Sequence, residues 1–326
     1  MPISESAVVT VIPSSYNSFK LAVPGQMVGA MTQDRGSGVF GQLGHAPKMI
    51  PVHVKVRTSR NRTEEYSYEI ISDPFLTPLL INVTVYNSIT ASERALGDST
   101  IGIRGQIEVK GQKPVALERR FSSNSAALSA AGSVAQPVAT LLTSGFDGVE
   151  ISNLSLDITS SDTKNTAVLE RISLDRTEVR RGETIEIQAY GRTESGKQFV
   201  ERIPVQIPAD VGRGQLIVFV GDGSSLQEAT TQKTLVPRDL DQLVGEINKI
   251  KKNDRLYVKL YRATPGVVIG ASELPDLPPS VVATLTNDRS AGGYTPLSLS
   301  PVYEKELPPA EFVIVGEHSI AIEVLP

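Results

Sequence analysis

Apolar and polar positions alternate over Ile50-Pro-Val-His-Val-Lys-Val-Arg57 and again over Tyr66-Ser-Tyr-Glu-Ile-Ile71. A period of two is what a strand with one buried face requires, and Thr58-Ser-Arg-Asn-Arg-Thr63 between them reads as an exposed hairpin loop. The preceding chain holds an apolar run, Ala7-Val-Val-Thr-Val-Ile12. It continues with Phe19-Lys-Leu-Ala-Val-Pro-Gly25, which closes on a Pro-Gly turn signal, and with the short pieces Met27–Met31 and Gly38–Gly41. Glycine inside strands marks bulges, bends or close backbone approach, as at the corners of a small barrel. Strands resume at Ser99–Val109 and Val115–Phe121.

Helical spacing replaces this rhythm in three places. Thr77-Pro78 supplies an N-cap and first-turn pair, Leu79, Leu80, Val83, Tyr86 and Ile89 recur along one face, and Gly97 offers a C-cap. Together they predict a helix near 77–96, against which only the β-branched Val83-Thr-Val85 argues. The alanine-rich Ser125–Ala135, continuing to Leu142, predicts a closely packed helix that Pro137 kinks or splits. After Pro237, the residues Leu240, Leu243, Val244, Ile247 and Ile250 share one face. There Asp239, Asp241 and Glu246 precede Lys249, Lys251 and Lys252, the charge order that suits the helix dipole.

Short strands at regular spacing cover Val149–Ile158, Ala167–Leu174, Thr184–Tyr190, Phe199–Ile207 and Gly214–Val220, and the run from Leu174 to Ile187 has the look of an immunoglobulin-like sandwich edge. Leu256–Tyr261 is a further strand, Pro-rich loops lie at 275–279 and 307–309, and Phe312–Val315 with Ser319–Val324 reads as a closing hairpin around Gly316-Glu-His318. No repeat at a fixed period is evident. The expected fold is mainly β with α additions, in four segments. An incomplete β-barrel domain spans 1–121, an Ala-rich helical connector 122–146, an immunoglobulin-like sandwich 147–235 and a small α/β domain 236–326.

Composition narrows the chemistry. The 326 residues include no cysteine, which excludes disulfides, a thiol nucleophile, a thiolate zinc site and an iron–sulfur cluster. The three histidines, His45, His53 and His318, have no ligand spacing, so neither a metal nor another cofactor is expected. A net charge of −4 gives no reason to expect nucleic acid. No apolar run is long enough to span a bilayer. The first residues lack the basic and apolar regions of a signal peptide, a start that suits a cytoplasmic protein or a piece of a longer one.

A nucleophilic serine needs a base in reach and an oxyanion hole, and the usual glycine-flanked motifs are missing. Ser37, in Arg35-Gly-Ser-Gly38, and Ser224, in Gly221-Asp-Gly-Ser-Ser225, are more simply turn residues. His45, in Leu43-Gly-His-Ala-Pro47, is a plausible loop base, His53 is expected to point outward from its strand and His318 to sit in a hairpin tip; each reads more simply as a solvated or hydrogen-bonded surface histidine. Gly221-Asp-Gly-Ser-Ser225 lacks the lysine of a phosphate-binding loop, and a loop joining strand to strand is expected there. Asp34-Arg35 reads first as a buried pair fixing a turn and second as a binding element.

Ser18–Gly29, Thr32-Gln-Asp-Arg-Gly-Ser-Gly-Val-Phe-Gly-Gln-Leu-Gly44 and Met49-Ile-Pro-Val52 together resemble the SpoIVB peptidase S55 domain as it occurs in large envelope proteins of acidobacteria-like bacteria. Asp73–Leu80, Asn87-Ser-Ile89, Glu93-Arg94 and the run from Leu174 to Gly223 fit the same likeness. The resemblance implies a serine-peptidase-like β-barrel, truncated at its N-terminus, followed by accessory domains and exported to the periplasm or envelope. The family's catalytic histidine lies in a Gly-His motif upstream of the matching segment, and its nucleophile in Gly-x-Ser-Gly-Ser-Pro. Neither has a position here, and Leu43-Gly-His45 falls in a later strand-turn. Two expectations follow. One is a catalytically incomplete module that binds a protein or peptide partner as a scaffold. The other is an active serine endopeptidase using Ser37 with His45.

Overall fold

The computed structural model describes residues 1–326 apart from 14–16, 93–96, 231–236, 270–271, 276, 279, 282–283 and 285–293. Strands dominate a mixed α/β architecture, with 53% of residues in strands against 18% in helices, and one sheet is curled like half a barrel. The Glu93-Arg94 pair and part of the 275–279 loop lie outside the described residues.

The chain opens with β1 (Pro2–Ile12), β2 (Phe19–Arg35) and β3 (Gly38–Leu43), an antiparallel three-stranded sheet in that order. Almost every residue in it is exposed; Ala30 is its one member of the buried core.

Next come two ββα units. The first is β4 (Met49–Arg57), β5 (Thr63–Ile71) and α1 (Leu76–Ser92); the second is β6 (Ser99–Val109), β7 (Val115–Ser123) and α2 (Ala126–Leu142). The two helices have the same length, 17 residues, and the units share element order, so a structural repeat exists without a visible sequence repeat. The following strand, β8 (Ile151–Ser161), enters between the units to give the order β5-β4-β8-β6-β7. It pairs parallel with β4 and antiparallel with β6. Alternate residues Ile50, Val52, Val54 and Val56 of β4, with Ile101, Ile103 and Ile107 of β6, face α1 and α2 in one core.

The helix near 77–96 forms, but its start and its buried face differ from expectation. Asp73, not Thr77, is the N-cap: its Oδ1 accepts the backbone N–H groups of Phe75 (2.9 Å) and Leu76 (2.8 Å), and Pro74 takes the first helical position. Thr77 instead accepts the Asp73 N–H at 2.7 Å from inside the first turn. The buried stripe is Thr77, Ile81, Val85, Ser88 and Ile89, whereas Leu79, Leu80 and Val83 are exposed. Periodicity cannot choose a face on a helix that is apolar all round. In α2, Pro137 is carried within a single continuous helix and does not split it.

The remaining strands are β9 (Thr166–Leu174), β10 (Glu178–Val179), β11 (Thr184–Thr193), β12 (Gln198–Gln206), β13 (Gly214–Asp222), β14 (Leu256–Ile269), β15 (Ser272–Pro275), β16 (Tyr294–Glu306), β17 (Val313–Val315) and β18 (Glu317–Val324). The helices α3 (Gly223–Thr230) and α4 (Leu240–Asn248) lie between β13 and β14. A four-stranded sheet, β12-β11-β9-β17, faces a six-stranded one, β10-β18-β13-β14-β15 with β16 also on β14, across one shared core.

Strand pairing crosses the expected segment limits. Both β13, from the 147–235 segment, and β14 and β18, from the last segment, belong to one sheet. The expected C-terminal hairpin does not form: β17 pairs with β9 and β18 with β13, so the chain changes sheets at Gly316, whose φ is 110°. The amphipathic helix forms as α4, capped by Asp239 onto the Gln242 N–H at 2.8 Å, but packs Leu243 and Val244 into the core of the ββα units.

Candidate functional site

The β2–β3 turn carries Ser37 at its tip, while His45 follows Gly44 beyond the far end of β3. Six extended residues separate the two ends of β3, which at ~3.3 Å per residue is roughly 20 Å. The geometry keeps Ser37 and His45 apart. Asp34 and Arg35, expected as a buried pair, are both exposed at the end of β2.

A serine and a histidine do meet elsewhere. His53 of β4 stands opposite Ser67 of β5, with Nδ1 3.3 Å from Oγ. The turn is one residue shorter than the expected 58–63 loop: Thr63 already pairs with Arg57, which brings His53 opposite Ser67. The pair lies on the face of the five-stranded sheet turned away from α1 and α2, in a cavity of about 480 Å³ that Arg104, Gln106, Ser155 and Asp157 also line. Among the described residues no carboxylate holds the other ring nitrogen of His53, and the charges nearby are spent on one another. Lys55 bonds Glu65 at 2.8 Å and so holds the Glu65 carboxyl below its ordinary value; Arg57 bonds Asp157, and Arg104 lies 3.8 Å from Glu118. What this face offers is a polar, charge-paired surface, without an oriented base.

At Gly221-Asp-Gly-Ser-Ser225 the strand-to-strand expectation is corrected, because β13 runs directly into α3. The buried Asp222 carboxylate accepts from the N–H groups of Ser224 (2.7 Å) and Ser225 (3.0 Å), the Ser225 hydroxyl (2.8 Å) and the Gly316 N–H (2.8 Å). A carboxylate thus occupies the helix N-terminal donors that a phosphate would use. His318 leaves the expected hairpin tip and sits on β18, donating from Nε2 to the Leu169 carbonyl at 3.1 Å.

The densest charge cluster joins the ββα units to the sandwich. Arg255 and Asp254 are buried, Arg255 reaching Asp254 (2.8 Å), Glu306 (2.5 Å) and Glu118 of β7 (2.9 Å), while Lys252 also reaches Glu118 at 2.6 Å. Burial works to raise the Glu118 pKa, but hydrogen bonds from Lys252 and Arg255 outweigh it and hold the carboxyl below its ordinary value. Every charge here is answered by another, the mark of a structural joint. Sequence spacing could not reveal it, since its members come from β7, β16 and the turn before β14.

Among the described residues no cluster of three or more histidine, aspartate and glutamate side chains is arranged to hold a metal ion, and no helix is long and apolar enough to cross a membrane. What stands out instead is the surface of the N-terminal sheet. Eleven large hydrophobic residues between Val8 and Leu43 are exposed, including Val9 at 62%, Phe40 at 54% and Leu43 at 78%. Comparison with family models, with curated proteins and with solved structures finds no match to this chain.

Proposed function

We propose that this chain is a catalytically incomplete relative of the SpoIVB-type S55 peptidases, working as a binding or scaffold module outside the cytoplasm, in the periplasm or envelope. In this reading the N-terminal sheet descends from the peptidase-like barrel and has become a docking surface. The two facing sheets of the C-terminal half are the immunoglobulin-like accessory part.

The observation that supports it is the exposed apolar surface of β1–β3. Monomeric soluble proteins rarely show contiguous apolar patches of more than a few hundred Å², and larger ones mark interaction sites. The chemistry of peptide hydrolysis has no comparable support. It requires a serine activated by a base within hydrogen-bond reach, and Ser37 and His45 occupy opposite ends of β3.

A fluorophosphonate probe tests the reading directly. The expected result is no labelling of the folded chain. Labelling that Ser37→Ala or His45→Ala abolishes would overturn it in favour of an active serine endopeptidase. Labelling abolished by Ser67→Ala would overturn it in favour of the His53–Ser67 pair.

A further inference from the structure

Resting on that reading, we infer that the occupant of the N-terminal sheet is the same sheet of a second copy of this chain, docked about a two-fold axis. Four features of the molecule carry this.

The first is area. A large hydrophobic side chain carries roughly 100 Å² of apolar surface. With about half of it exposed, and neighbours such as Val11 and Ile12 or Val39 and Phe40 turned to opposite faces, one face of the sheet offers at most roughly 450 Å² per copy. Each partner in a standard interface contributes ~800 Å², of which ~57% is apolar, so one such face approaches what a stable dimer needs.

The second is the bare edges. Among the described residues β1 and β3 each pair only with β2, leaving an unpaired ladder on both sides of the sheet. Ala7-Val-Val-Thr-Val-Ile12 on one edge has no charge and no proline, a composition that natural proteins avoid on an open edge, and only the irregularity at Val9 interrupts it. The fold does protect another of its sheet edges. Along β7, Asn248 Oδ1 accepts the Ala116 N–H at 2.8 Å and Nδ2 donates to the Pro114 carbonyl at 3.1 Å, while Asn253 does the same for Arg120.

The third is topology. A two-fold axis perpendicular to three antiparallel strands sets β1 antiparallel to its own copy, and β3 likewise. Each bare edge then finds an edge of matching pattern, in the isologous way that closes a dimer.

The fourth is charge. From Pro2 to Leu43 the only ionisable side chains of opposite sign are Glu5 and Asp34 against Lys20 and Arg35, so the sheet is neutral. Two copies do not repel, and an anionic membrane or nucleic acid finds no basic excess to recognise.

The absence of cysteine makes the test clean. Analytical ultracentrifugation of the full chain across the micromolar range should give a particle of twice the 35.0 kDa chain mass that persists at high salt. Val9→Asp and Phe40→Asp should each weaken the dimer at least ~10-fold, with the unfolding temperature of the ββα units and the sandwich unchanged. Val9→Cys, the single thiol in its chain, should form a disulfide-linked dimer on oxidation, whereas Phe75→Cys, at the exposed turn that leads into α1, should not. A chain that stays monomeric at every concentration overturns the second-copy inference and leaves the binding-module reading standing. A dimer that ignores both aspartate substitutions, or that cross-links equally through Phe75→Cys, overturns it as well. Fluorophosphonate labelling, by contrast, strikes the functional reading alone.

Discussion

Asn253 pairs with the backbone of Arg120 as a strand residue would. Its Oδ1 accepts the Arg120 N–H at 3.0 Å, and its Nδ2 donates to the Arg120 carbonyl. One side-chain amide thereby satisfies both ladder groups of a residue on the outer edge of β7, and at the same place fastens the ββα units to the sandwich. Removing it strands a donor and an acceptor in a partly buried joint. Asn253→Ala is expected to cost about 1–3 kcal/mol in urea unfolding. Asn253→Asp, which keeps the acceptor and loses the donor, should recover part of that loss; a stability equal to the unsubstituted chain in either variant would refute the role.

Arg255 is the hub of the charge joint, with three carboxylates on one buried guanidinium. Taking away one partner of a buried ion pair leaves an uncompensated charge, so Arg255→Ala is expected to destabilise by about 3–5 kcal/mol. Calorimetry on Arg255→Ala and on Arg255→Ala with Asp254→Asn checks it. The double variant should be the more stable of the two, because the stranded Asp254 charge is then gone.

Acid should loosen the same joint. Glu118, and beside the joint Glu304 on β16 with its partners Lys251 and Lys259, are held below the ordinary carboxylate value of 4.5; burial opposes this, and hydrogen bonds from their cationic partners prevail. A carboxyl whose pKa is lower folded than unfolded contributes stability that is present in full above the unfolded pKa. That contribution is lost as pH falls through the folded one. The unfolding temperature should therefore drop as pH falls below about 4.5, and Glu118→Gln should flatten the slope. An unchanged slope in that variant would remove Glu118 from the account.

Tyr257 should mark the alkaline limit. Burial pushes its phenol up to about 12, against a hydrogen bond donated by the Lys252 N–H at 2.8 Å, and Glu306 pushes the same way as burial. The folded state holds this proton where the unfolded chain releases it, so stability should fall as pH climbs from about 10 towards 12. Ultraviolet titration should show a late tyrosine step that Tyr257→Phe removes.

Asp222 ties the β13–α3 junction to the crossing at Gly316. Asp222→Ala removes a helix cap and strands the Gly316 N–H, for an expected loss of about 2–3 kcal/mol. Gly223→Ala tests the same junction from the other side, since a Cβ there would lie 2.2 Å from the Lys252 carbonyl oxygen. Chemical denaturation of both variants should show the loss, and a neutral Gly223→Ala would show that the junction can open.

Local pattern alone makes several elements legible. The alternation at Ile50–Arg57 and Tyr66–Ile71, with its loop between, predicts the β4–β5 hairpin, whereas the His53–Ser67 register is set by a turn one residue shorter than that loop. The stripe after Pro237 and its leading Asp239 predict α4. In each case the determining contacts are only a few residues apart, or a single apolar stripe has one way to be buried.

Other features depend on contacts far apart along the chain. Residues 151–161 alternate like any sandwich strand, yet β8 is drawn between β4 and β6 because the two ββα units leave a gap that only another strand can fill. The apolar circumference of α1 offers several faces, and packing against β4, β5 and α2 selects Ile81, Val85 and Ile89. Neither the asparagine clamp on β7 nor the link from Arg255 to Glu118 carries any spacing signal, since the partners stand more than a hundred residues apart.

By itself the sequence determined most strands and the three helices α1, α2 and α4, but not α3, together with the absence of thiol chemistry and the poverty in histidine. Tertiary structure alone decided which strands pair, that Ser37 and His45 stand at opposite ends of β3, and that an apolar three-stranded sheet is left uncovered. The physical reason is that element type follows from periodicity within a few residues, whereas pairing and exposure follow from which long-range packing buries the most apolar surface while satisfying the backbone.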